Sequence, residues 1–204
     1  MSNIAGQRLD ADQRRAQIIK VANEHFTKLG ITGVSMSAVA KDAGVTRALI
    51  YHYFPGKNAL LHAVLTDEAE RLLDATAPDP ELSPRANLNK ALGAYLDFFA
   101  ASSGGIRELY APASALPIAN ELAEKNHARH IDWILDATAA PDNERSRLTI
   151  GAWLAFVEFI ARESTGAPTP RTALIDLCIA TLEGALGSSL ATCTTSTTPE
   201  KDTE

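Results

Sequence analysis

Apolar residues recur along this chain at intervals of three and four, the period of an amphipathic helix, and the two-residue alternation of a strand is absent. The pattern divides into helices at recognisable punctuation. Asp10 with Gln13 forms a capping-box start, Ile18, Ala22, Phe26 and Leu29 share one face, and Gly30 is expected to end that helix. Ser35 is an N-cap candidate for a second helix carrying Met36, Val39, Ala40 and Ala43, which must stop at Gly44, the residue that tolerates positive φ. Thr46 caps a third helix running to about Tyr53, where Pro55 forbids Phe54 the helical conformation.

Six further helices are predicted downstream. The fourth covers about 57–76 and is followed by a stiff link containing Pro78, Pro80 and Pro84. The fifth covers about 84–102, with Leu88, Leu92, Tyr95 and Phe99 on one stripe. After Gly104-Gly105 a short sixth helix takes 106–110, and 112–117 is a loop. The seventh, eighth and ninth cover about 118–139, 142–163 and 170–190, the last with Pro170 in the first-turn position that proline favours. The Thr/Ser-rich stretch 192–204 is expected to be a disordered tail. The fold class is therefore all-α: a three-helix domain with a helix-turn-helix over 1–56, then a larger helical effector-binding and dimerisation domain over 57–191.

The second and third helices with their glycine turn have the form of a DNA reader. Ile50, Tyr53 and Phe54 point one stripe of the third helix toward a core, and Arg47, Ala48, Tyr51 and His52 occupy the opposite stripe. Those four suit a major groove: a fork donor, a small methyl that permits deep seating, and two hydrogen-bonding aromatics. Lys57, in the first turn of the fourth helix, is placed to meet a backbone phosphate beside free N–H groups. With Thr46, Ser35 and Ser37 they make up the expected DNA-binding set.

Charge sharpens this division. Residues 1–57 hold eight Lys or Arg against four acids, net +4, and the other 147 residues hold 11 against 21, net −10, giving −6 for the whole chain. An acidic protein is a poor nucleic-acid ligand on average, but the local field decides, and the basic charge lies with the motif. Arg8, Arg14 and Arg15 form a basic arm at the start of the first helix, suited to phosphate or minor-groove contact. The first twelve residues contain no apolar run, and no apolar stretch reaches the roughly 18 residues of a membrane span, so neither a signal peptide nor a membrane is expected. Cys178 and Cys193 suit a reducing cytoplasm, and Cys178 is expected to be packing.

The eighth and ninth predicted helices are apolar on more than one face, which calls for a second partner. The simplest is another copy, giving a homodimer through these two helices that a charge at Leu182 should disrupt. Such a dimer would set two recognition helices about one DNA turn, ~34 Å, apart on a palindromic operator. The seventh helix carries Asn126 and His130 on an otherwise apolar stripe. They suit polar handles in a small-molecule cavity among the fifth to eighth helices, lined by Tyr95, Phe99, Tyr110, Trp133, Trp153 and Phe156. His127 and His130 lack the further ligands a metal site needs, and Glu158 should pair with Arg162 one turn on. No cofactor is expected.

Over residues 12–62 the chain resembles the tetracycline-repressor (TetR) family. The likeness rests on His25-Phe26, Gly30, Val39-Ala40, Ala43-Gly44-Val45-Thr46, Ile50-Tyr51-His52-Tyr53-Phe54 and Lys57-Asn58-Ala59-Leu60-Leu61. It implies that Thr46 to His52 enter the major groove, that Lys57 touches phosphate, and that the protein dimerises. Ala48-Leu49 departs from the family's usual pair, which bears on base preference and not on the fold. The expected function is a ligand-responsive transcriptional regulator, a repressor released from its operator by a small, largely apolar molecule. The alternatives are a constitutive DNA-bound adaptor with a solid core and a small all-α enzyme. No phosphate loop, nucleophile elbow or His-Glu-x-x-His motif supports the enzyme.

Overall fold

A computed structural model describes residues 10–101, 116–164, 166, 168–187 and 189–190. Among them are eight helices: α1 (Ala11–Gly33), α2 (Met36–Asp42), α3 (Arg47–Tyr53), α4 (Lys57–Thr76), α5 (Pro84–Ala101), α6 (Pro117–Thr138), α7 (Glu144–Glu163) and α8 (Arg171–Leu186). The predicted helix over 106–110, the tail, Arg8, Tyr110 and Cys193 lie outside the described residues. The chain forms two compact units, Met1–Arg71 with Ser102–Ala123, and Leu72–Ala101 with Glu124–Glu204. The boundary expected at 56/57 falls earlier than this division, which cuts within α4.

The first unit is organised by caps and a small core. The capping box forms at Asp10, whose carboxylate accepts from Gln13 N at 2.7 Å while Gln13 Oε1 accepts from Asp10 N at 3.2 Å. Ile18, Ile19, Ala22 and Phe26 bury one face of α1. Gly30 breaks the helix with φ 67°, yet a helical turn resumes through Gly33, so the glycine interrupts the element where it was expected to end it. Val39, Ala40, Ile50, Phe54, Leu60 and Val64 complete this core. The buried Glu68 on α4 accepts from Asn23 Nδ2 on α1 at 2.6 Å and from Arg71 at 2.8 Å. Burial raises its pKa against the pull of Arg71.

The second unit packs α5, α7 and α8 against one another. Leu92, Phe99, Ile150, Trp153, Val157, Ile175, Ile179 and Leu182 fill its interior. Trp153 Nε1 donates to the Cys178 carbonyl at 2.8 Å, so the buried indole satisfies its one donor while tying α7 to α8. Cys178 is buried, and burial pushes its thiol up to about 11, as befits packing. Asn143 caps α7 by accepting from Ser146 N at 2.9 Å. Two termini differ from expectation. Pro170 is the N-cap of α8 and not its first helical residue, and α8 stops at Leu186 because Gly187 takes the left-handed conformation, φ 68°, and returns its N–H to the Glu183 carbonyl.

Candidate nucleic-acid interface and effector cavity

The turn between α2 and α3 is fixed by backbone and side chain together. Gly44 adopts φ 64° and donates to the Lys41 carbonyl at 3.1 Å, and Val45 N reaches back to the Ala40 carbonyl at 2.9 Å. Thr46 then caps α3, its hydroxyl accepting from Leu49 N at 3.1 Å. Ser35 holds the extended backbone of an N-cap, but its side chain makes no cap bond. Phe54 sits at φ −135°, ψ 103°, the extended conformation its proline neighbour imposes, and α3 ends after two turns.

This short helix buries Ile50 and leaves Arg47, Ala48, Tyr51 and His52 exposed together. The Arg47 guanidinium carbon lies 5.7 Å from the centre of the Tyr51 ring, so the two present one stacked, hydrogen-bonding surface. Ser35 and Ser37 are exposed on α2 and its cap. Lys57 is half-buried, its ammonium donating to the Thr32 carbonyl at 3.2 Å. Arg15 lies over the Phe54 ring at 5.5 Å, which holds one member of the basic arm against the domain. Arg14 donates to Gln17 on its own helix at 2.8 Å.

The second unit contains a cavity of about 350 Å³ whose wall is mostly apolar. Thr76 at the end of α4, the proline link, α5, α6, α7, Leu182 of α8 and Leu190 all line it. The link is held as a wall by Asn87, which accepts from Asp79 N at 2.7 Å and donates to the carbonyls of Asp79 and Leu82 at 2.9 and 3.2 Å. Glu183 pins the far side, taking both Arg85 and Leu190 N. Tyr95, Trp133 and Trp153 supply aromatic surface.

Among the described residues, His130 and Thr76 are buried polar groups of this wall. The His130 Nε2 is 2.8 Å from Thr76 Oγ1, and that hydroxyl also lies 2.8 Å from the Leu72 carbonyl. The Thr76 hydroxyl has one proton, and giving it to Leu72 leaves its lone pair to accept from His130 Nε2–H. Burial, with His127 nearby, lowers the His130 pKa to about 4, so the ring is uncharged at neutral pH.

The geometry matches known proteins. The family described as "Bacterial regulatory proteins, tetR family" matches residues 18–64. The HTH-type transcriptional activator FasR of Mycolicibacterium smegmatis is 32% identical over 110 residues, 53% of this chain and 50% of its own. The HTH-type transcriptional regulator BetI of Cronobacter sakazakii is 33% identical over 107 residues, 44% of this chain and 53% of its own. This chain thus spans about half the length of the curated relatives it matches. The crystal structure of a tetR-family transcriptional regulator from Streptomyces coelicolor superimposes with TM-score 0.75 at 27% identity, over 88% of this chain and 84% of that one. Residues 18–64 thus match the TetR family, and the fold over most of the chain is similar to that of a TetR-family regulator.

Several site residues of this chain fall elsewhere than expected. Tyr95, His130, Trp133 and Trp153 line the cavity, but Phe99, Asn126 and Phe156 do not. Phe99 and Asn126 are buried in helix packing beyond the wall. Glu158 pairs not with Arg162 but with His127 Nε2 at 2.8 Å and the Tyr95 hydroxyl at 3.3 Å, because it is buried on the inner face of α7. His127 and His130 consequently serve separate networks. Leu182 is buried in its own chain and lines the cavity, so a charge there tests folding and not dimerisation. The proline link, Thr76 and Leu190 are wall residues that the sequence does not mark as such. The prolines marked a stiff segment, but nothing local to Thr76 or Leu190 signals a contact made 54 residues away or across a helix end.

Proposed function

We propose that this chain is a DNA-binding transcriptional regulator of the cytoplasm that represses from a palindromic operator and is released when a small, largely apolar molecule fills the cavity. The observation that carries it is the face of α3: Arg47, Ala48, Tyr51 and His52 exposed together on a helix locked in place by Thr46 and Gly44. The cavity favours a ligand-responsive regulator over a solid-cored adaptor. Dimerisation has its own support. On α7, Leu148, Ala152, Ala155 and Phe159 form an exposed apolar stripe, and on α8, Ala173, Leu177, Ala180 and Gly184 form another, with Leu148, Phe159 and Leu177 72%, 53% and 47% exposed. A four-helix contact between two copies would cover both stripes.

A mobility-shift titration with the DNA flanking the gene, against a scrambled duplex, tests this. The expected result is a specific complex of two chains per palindrome that weakens steeply with salt. Equal affinity for the scrambled duplex would overturn it. Activation is a second outcome, suggested by the name of FasR, and a reporter gene in cells lacking the protein separates the two signs.

A further inference from the structure

We infer that the cavity of the second unit selects by charge, taking an apolar molecule that carries a positively charged amine and rejecting the corresponding acid. This rests on the cavity being the effector site. Among the described residues, no lysine or arginine lines it, while Asp79 and Asp136 both do. The ion pairs of this unit engage other carboxylates: Glu183 with Arg85, Glu158 with His127, Asp132 and Asp142 with Arg147, and Asp97 with Arg171. Asp79 is partly exposed at the link, one carboxylate oxygen accepting from Glu81 N at 3.0 Å. Asp136 is exposed at the end of α6.

Three aromatic side chains, Tyr95, Trp133 and Trp153, line the same space. Their negative π-faces attract a cation and repel an anion. His130 offers no positive charge in compensation, since its ring is neutral at physiological pH. An anion entering would give up water and meet two carboxylates and three aromatic side chains with no cation among the described lining residues. An ammonium would meet the same groups as partners, while its hydrocarbon body covers Leu88, Leu92, Leu154 and Leu182.

The protein's own fluorescence reads occupancy, because both of its tryptophans line the cavity. The probes are phenylbutylamine, phenylbutanol and phenylbutanoate, which share a body and differ in charge. Titrated into the full chain at neutral pH, the amine is expected to bind about tenfold tighter than the alcohol, and the alcohol about tenfold tighter than the acid. Replacing Asp79→Asn and Asp136→Asn together should shrink the amine-to-acid ratio by about tenfold. An acid that binds as tightly as the alcohol overturns charge selection while leaving an effector cavity in place. A ratio that the double variant does not change overturns it too. No response to any probe at millimolar concentration overturns both this inference and the effector reading of the cavity. The ratios in the unaltered chain suffice if the variant fails to fold.

Discussion

Thr46 and Ser35 occupy the same kind of position, one residue before a short helix, and the structure separates them. The Thr46 hydroxyl accepts from Leu49 N, whereas the Ser35 side chain makes no cap bond. Thr46→Ala should therefore cost about 1 kcal/mol of unfolding free energy and Ser35→Ala well under half of that, measured by urea denaturation. On the outer face of α3, Arg47→Ala and Tyr51→Ala should each weaken specific DNA binding by roughly 1–3 kcal/mol, and Lys57→Ala should weaken all sequences alike and lower the salt slope by about one. Because Arg47 stacks on Tyr51, the double variant should lose less than the sum of the singles. Undiminished operator affinity in both single variants would exclude α3 as the reader. At His130 the sign is set by burial: its folded pKa, about 4, lies below the ordinary 6.5. Between these values the unfolded chain binds a proton that the folded chain does not, so stability falls as pH drops from 6.5 toward 4 and is constant above. The span is on the order of 3 kcal/mol. His130→Gln, which keeps a donor for Thr76, should flatten that limb of the stability curve in chemical denaturation at successive pH values.

Elements were legible where their signals are local. A capping box, a glycine at positive φ and a proline that ends its predecessor's helix all act within a few residues, and α2 to α4 lie where those signals set them, while α1 starts at its capping box but runs past Gly30 to Gly33. Gly187 carries the same kind of signal but was overlooked beside apolar Leu186 and Leu190, and α8 was expected four residues too long. The cavity was less legible for a physical reason. An α-helix with apolar residues on several faces does not reveal which face meets a void and which meets a neighbour, so Phe99 and Phe156 resemble Tyr95 and Trp153 in sequence although they do not line this cavity. The same ambiguity placed Leu182 on an outer surface. With burial known, the outer stripes of α7 and α8 can be named, and the dimer prediction moves to them. Leu177→Glu or Phe159→Glu should convert a dimer to a folded monomer at micromolar concentration in light scattering, with helical circular dichroism unchanged. Leu182→Glu should instead unfold the chain, since the charge would be buried without a partner. A dimer that survives both outer substitutions places its interface elsewhere.

For the whole molecule, regulation requires that two ligands be linked, and α4 is the covalent element that carries residues of both units. Its twenty residues run without interruption from Lys57 to Thr76, about 30 Å of helix. Past its midpoint Glu68 is bonded to Asn23 of α1, and at its C-terminal end Thr76 is bonded to His130 in the cavity wall. Under the proposed function, a molecule in the cavity that competes for His130 or moves the proline link would act on the last turn of α4, and a coupling carried along α4 would reach the end that bears Lys57. Two copies related by a two-fold axis would convert it into a change in the spacing of their α3 helices, which a palindrome of fixed half-site distance penalises. A coupling of about 1–3 kcal/mol, 5- to 150-fold in operator affinity, suffices, and linkage demands that saturating operator weaken the ligand by the same factor. Thr76→Val removes the hydroxyl that joins α4 to His130 while keeping the side chain's size. In that variant ligand and operator should each still bind alone, and the coupling factor, measured by titrating either in the presence of the other, should fall toward one. Equal coupling in Thr76→Val and the unaltered chain would show that the signal does not pass through this contact. A ligand affinity indifferent to operator in the unaltered chain would show that there is no signal to pass.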